Sequence, residues 1–188
     1  MGLLSKIAAF SALTVLSASA FAFPIAAVGT EGNPIIASGG EVFATYLGNS
    51  AGYSNDLLLG SNPNVIFNNH ATPVGTVVDL GYFAAGTELV FRLHVNNTGD
   101  NWFSGLASRN DDGLFHARAQ ANFGTAGTTL VSFEDLRGTP EGQNGYNDLS
   151  FSFTNTMVTP VPEPETYALM LAGLGALAAV ARRKKKQA

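Results

Sequence analysis

The side chains best placed to act together in this chain are carboxylates. Phe133-Glu134-Asp135-Leu136 closes one run of strand-like alternation, and Gly145-Tyr146-Asn147-Asp148-Leu149 opens the next. Pairing those runs as an antiparallel hairpin brings Glu134, Asp135, Asn147 and Asp148 to one end of a sheet. A further acidic turn, Asn110-Asp111-Asp112-Gly113, can contribute Asp111 and Asp112 to the same end. Calcium takes about six to eight oxygens at flexible spacing and requires neither cysteine nor histidine. The six residues Asp111, Asp112, Glu134, Asp135, Asn147 and Asp148 are therefore the candidate metal ligands, and Ca2+ is the candidate cofactor. The acidic turn lacks the alternating ligands and closing Glu of an EF-hand. In the plainer reading, Asn and Asp simply cap turns.

Other chemistries have weaker support. Gly48-Asn49-Ser50-Ala51-Gly52 matches G-x-S-x-G, which serves as a nucleophile elbow only between a strand and a helix. Residues 53–60 read as turn and strand, so Ser50 is read as a turn residue, and a serine hydrolase is the lowest of the functional alternatives. His70, His94 and His116 are the chain's three histidines, and their spacing matches no compact metal motif. His94 and His116 fall on the outward side of the alternation. Trp102, Tyr46, Tyr53, Tyr82 and Tyr146 are candidates for a sugar-stacking face, which makes a carbohydrate-binding module the main alternative function. The absence of cysteine excludes disulfides, thiolate zinc sites and thiol nucleophiles. No catalytic constellation of acid, base and nucleophile emerges, and the expectation is a protein that is not an enzyme.

The elements positioning these residues read as strands. In residues 88–95, Leu89, Phe91, Leu93 and Val95 alternate with Val90, Arg92 and His94. Leu149, Phe151 and Phe153 alternate with serines and a threonine, and Phe115, Ala117 and Ala119 with His116, Arg118 and Gln120. This is the period of a strand with one buried face. Further strands are predicted at 41–47, 56–59, 65–67, 76–80 and 129–133, separated by turns rich in Gly, Asn and Asp. Many short strands between polar turns predict an all-β domain, an antiparallel β-sandwich or jelly roll, over residues 38–157, its core filled by most of the 13 phenylalanines. Between Phe23 and Glu165 there are four arginines, no lysine and all 14 carboxylates. That balance excludes a phosphate-tracking groove, hence nucleic acid as a partner.

The two ends have a different composition. Lys6 precedes an apolar stretch that closes on small residues at Ala18-Ser19-Ala20 and Ala20-Phe21-Ala22, the pattern of a cleavable signal peptide over residues 1–22. Its reader is signal peptidase. Residues 23–37 are expected to be a linker. At the other end, 158–165 form a stiff proline-rich segment containing Val161-Pro162-Glu163-Pro164. Residues 166–181 carry no charge and predict one transmembrane helix, followed by a basic cytoplasmic tail at 182–188.

The order Val161-Pro162-Glu163-Pro164, then Leu169 to Leu174, then Arg182-Arg183, resembles the PEP-CTERM sorting signal of Gram-negative bacteria. The resemblance implies an exosortase partner that reads Val161, Pro162, Glu163 and Pro164. It implies transient anchoring in the inner membrane, cleavage near the motif, and delivery to the cell surface or an exopolysaccharide matrix. Separately, Phe133-Glu134-Asp135 with Tyr146-Asn147-Asp148-Leu149 resembles the closing signature of an uncharacterised bacterial surface domain, β-rich and associated with calcium-dependent exported proteins. That likeness runs from about Tyr46 to Phe153, with Gly145 standing where the pattern has an acid. The expectation is an exported, exosortase-processed surface or matrix protein with a non-catalytic interaction module, stabilised by calcium.

Overall fold

Hydrophobic alternation becomes an antiparallel sandwich in the computed structural model, which describes residues 22–138, 145–159, 169–174 and 177. The predicted signal peptide, apart from Ala22, lies outside the described residues, as do the Val161–Pro164 motif and the basic tail.

A five-stranded sheet has the order β5 (Val77–Phe83), β2 (Gly40–Gly48), β10 (Leu149–Phe153), β9 (Thr129–Phe133), β8 (Ala117–Ala121). A four-stranded sheet has the order β4 (Val65–Asn68), β3 (Asn55–Leu59), β6 (Phe91–Val95), β7 (Asn101–Phe103). A ribbon of β1 (Ile35–Ala37) and β11 (Thr156–Val158) completes the strands among the described residues. A 3-10 turn occupies Ala107–Arg109.

Each of the eight predicted strands has a counterpart. Glu88 to Val95 is split between partners. Leu89 N donates to Ile35 O and Ala37 N donates to Thr87 O, so the first part pairs with β1. From Phe91 onward the ladder belongs to β3. The burial alternation nevertheless runs through unbroken, with Leu89, Phe91, Leu93 and Val95 all buried.

Between the sheets lies an aromatic core. Phe91 of the smaller sheet stacks on Phe153 of the larger at 4.1 Å and also meets Phe151 at 6.0 Å. Tyr46 meets Phe67 at 5.6 Å. Offset and tilted contacts of this kind add to the stabilisation from burial. Among the described residues, five phenylalanines are fully buried: Phe67, Phe91, Phe133, Phe151 and Phe153. The others are at most partly covered and Phe115 is exposed, so aliphatic residues, Tyr46 and Trp102 fill much of the volume expected of phenylalanine.

The segment expected to be a linker is part of the domain. Ala26 is buried, and its N–H donates to Ser132 Oγ at 2.9 Å. Ala119 N donates to Thr30 O and Gly32 N to Ala117 O. Glu31 pairs with Arg118 at 2.6 Å. The segment thereby covers the outer faces of β8 and β9, and every residue of β9 is buried. Gly32 has φ +71, and a Cβ there would collide with the Phe115 ring, so glycine is required at that crossing.

Phe151 lies at the centre of the core, touching Phe67, Phe91, Phe133 and Phe153. Its replacement in Phe151→Ala is expected to cost about 3–5 kcal/mol, measured by denaturant unfolding of the full-length chain in mild detergent.

Candidate functional site

The β9–β10 ladder is in register from Leu149 opposite Phe133 to Phe153 opposite Thr129. One step beyond Leu149–Phe133, the strands leave the ladder and deliver Asp148, Glu134 and Asp135 to the same end of the sheet. Asp148 N donates to Phe133 O at 3.0 Å, holding the two chains together there. Glu134, Asp135 and Asp148 are all buried, and each offers an oxygen within 4.8 Å of the others. The hairpin expectation therefore holds for this trio.

Every member is held by short hydrogen bonds. Asp135 N donates to Asp148 Oδ2 at 2.8 Å, and Leu136 N to Glu134 Oε1 at 3.0 Å. Asn55, at the start of β3 in the other sheet, donates from Nδ2 to Asp135 Oδ2 at 2.7 Å. Trp102 Nε1 donates to Asp135 O at 2.9 Å. The site thus joins both sheets. A cleft of about 250 Å³ opens beside it, lined by Ser50, Gly52, Tyr53, Asp135, Leu136, Asn147 and Asp148. Asn147 faces this cleft, and its carbonyl accepts from Ser50 N at 2.8 Å.

Asp111 and Asp112 are engaged elsewhere. Arg137 binds Asp111 with both terminal nitrogens at 2.9 Å and reaches Asp100 at 2.7 Å. Asp112 Oδ2 lies 2.9 Å from His116 Nε2 and accepts from Gly138 N at 3.2 Å. These two carboxylates brace the loops beside the trio rather than joining it. Burial opposes the charge on Asp112, but the hydrogen bonds from His116, Leu114 N–H and Gly138 N–H outweigh it and hold the carboxyl below its usual range.

His116 is not on an outer face. It is fully buried and stacks on Trp102 at 3.8 Å and 7°, because the loop carrying Asp112 folds over it. Trp102, Tyr46 and Tyr146 are buried too, whereas Tyr82 is exposed. The five aromatic residues therefore form no common stacking face. Trp102 braces the acidic end, and Tyr46 donates its hydroxyl to Asn69 O at 3.0 Å. Ser50 lies in the loop between β2 and β3, so its local setting is strand–loop–strand and not strand–turn–helix.

Sequence reasoning overlooked Asn55. It is fully buried, and its Oδ1 has no hydrogen-bond partner. The available signal was an asparagine opening a hydrophobic strand, a position where a buried amide needs a specific partner.

Residues 160–185 match the PEP-CTERM protein-sorting motif. The chain carries a PEP-CTERM sorting signal. Motifs of this kind are recognised by exosortase and imply export with a C-terminal membrane anchor before processing. Comparison with curated proteins and with solved structures gave no match. Residues 169–174 of the PEP-CTERM segment are helical, with Leu169, Met170, Leu171 and Leu174 exposed. Among the described residues, no helix is long and apolar enough to cross a membrane.

Burial pushes the Asp148 carboxyl up to about 8; the charges of Asp135 and Glu134 and a hydrogen bond with Glu134 push the same way, against the donated Asp135 N–H. A carboxyl in the unfolded chain titrates near ~4. The folded form therefore holds this proton more tightly. The resulting stabilisation is complete below about pH 4 and is lost as the pH rises through about 8. Asp148→Asn is expected to flatten the fall in melting temperature between about pH 5 and pH 8, measured in chelator by circular dichroism.

Proposed function

We propose that this protein is exported, held in the inner membrane by its C-terminal segment, cut near Val161-Pro162-Glu163-Pro164 by an exosortase, and left outside the cell as a surface or exopolysaccharide-matrix component. The observation carrying this reading is the sorting motif placed immediately behind a folded β-sandwich. The division of labour follows from composition. The tail combines an extended proline segment, an uncharged stretch and a basic end, which together suit docking followed by removal. Exposed leucines in residues 169–174 and at Leu177 have no protein covering them among the described residues, as suits contact with lipid.

The sandwich itself acts as a non-catalytic interaction module. Its G-x-S-x-G segment joins two strands, whereas a nucleophile elbow needs a sharp strand-to-helix turn. Its buried carboxylates hold loops and sheet ends together. Freedom from lysine across residues 23–165 keeps the displayed domain acidic and away from nucleic acid.

In the native host, intact-mass analysis is expected to find a chain ending near Pro164. Replacing Pro162-Glu163-Pro164 with three alanines should leave the basic tail attached and move most of the protein into the membrane fraction. Wild-type protein recovered from outside the cell with Ala188 as its last residue would overturn the reading.

A further inference from the structure

We propose that the end of the sandwich where β9 leaves the sheet and β10 enters it is a calcium site, with Glu134, Asp135, Asp148 and the side-chain oxygen of Asn55 as its protein ligands. The inference stands on this end of the domain alone and is independent of the route of export.

Oxygens from the three carboxylates lie within 4.8 Å of one another. Calcium–oxygen bonds of about 2.4 Å allow two ligands of one ion to stand up to ~4.8 Å apart. The trio therefore fits around a single ion with little movement. Geometry of this kind is common among acidic residues, and on its own it assigns nothing.

Asn55 supplies the independent observation. Its side chain is completely buried, and Nδ2 is 2.7 Å from Asp135 Oδ2, so its amide lies against the cluster. The oxygen of the same amide has no hydrogen-bond partner. A buried acceptor left unmatched is rare, because it loses its hydration without replacement. A cation bound by the adjacent carboxylates supplies the missing partner. Neutral amide oxygens are ordinary calcium ligands, beside carboxylates and backbone carbonyls.

The surroundings favour calcium over magnesium. Three carboxylates of the larger sheet meet the Asn55 amide of the smaller one here, and Asn147 and Ser50 line the adjoining cleft, which has room for water to complete the shell. Magnesium dehydrates reluctantly and is seldom held by a dedicated cage of protein oxygens. The site also clamps the four-stranded sheet, through Asn55, to the five-stranded sheet, through Asp135 and Asp148. Binding there favours the folded form by mass action.

The test uses the full-length chain in mild detergent, stripped with chelator. Terbium, a calcium analogue, is titrated with excitation of Trp102, the chain's one tryptophan, whose Nε1 bonds the Asp135 carbonyl. Sensitised emission that saturates at one ion per chain and is displaced by calcium at least tenfold more effectively than by magnesium is expected. Calcium should also raise the melting temperature. Asp135→Asn should weaken binding at least tenfold, and Asp111→Asn should leave it within twofold. Asn55→Asp, which adds a charged oxygen, should enlarge the calcium-induced rise in melting temperature. Absence of saturable emission from the wild type, or displacement by magnesium as effective as by calcium, would overturn the assignment without any variant having to fold. Equal affinity in folded Asp135→Asn would overturn it as well.

Discussion

The ladder between β9 and β10 is the constraint from which the rest of the domain follows. Its register sets Val131 and Phe133 against the core on one strand and Phe151 and Phe153 on the other. The opposite faces carry Ser132 and Ser150, whose hydroxyls meet at 2.9 Å. Because side chains alternate with a period of two, a slip of one residue would exchange phenylalanine for serine in the core. The same register places Asp148 and Glu134 side by side at the ladder's end. Core packing and acidic end are consequences of one pairing.

Three buried carboxylates at the end of a sandwich are costly unless something compensates them. Part of the compensation is visible in the N–H groups of Asp135 and Leu136 and in the Asn55 amide. Each of these fixes the position of a carboxylate oxygen, so the arrangement is preorganised. The neighbouring set of Asp112, His116, Trp102 and Arg137 supports it from outside: Glu134 N donates to His116 O at 3.0 Å, and Arg137 lies over the Trp102 ring at 5.1 Å. Acidic residues close in sequence thus divide into a cluster of like charges and a set of braces.

Covering the outer face of the larger sheet changes the character of the molecule. Residues 26–33 turn what alternation alone would make a half-solvated sheet into one with β9 buried on both sides. Arg118 is the clearest case. Read as an outward residue, it is buried, ion-paired with Glu31 and placed 4.3 Å over the Tyr146 ring. A charge that sequence alternation assigns to water becomes the attachment point of the N-terminal segment.

The all-β class, eight strands and the meeting of Glu134, Asp135 and Asp148 were legible in the sequence. Period-two alternation and hairpin pairing are local rules, and they need no knowledge of distant segments. The sorting tail was legible for the same reason, since its order of proline, apolar and basic parts is contiguous. β1, β7 and β11 were not foreseen, being three-residue strands too short to display an alternation; β1 and β11 pair with each other across nearly the whole domain, while β7 closes a short hairpin with β6. Nor were the burial of His116 and Trp102, the diversion of Asp111 and Asp112 to Arg137 and His116, or the part played by Asn55. Each requires groups from different loops or sheets to arrive at one point, and sequence spacing carries no measure of that distance. Tertiary structure alone decided which acids gather and which are drawn away, because the outcome turns on where the few cations and amides come to rest.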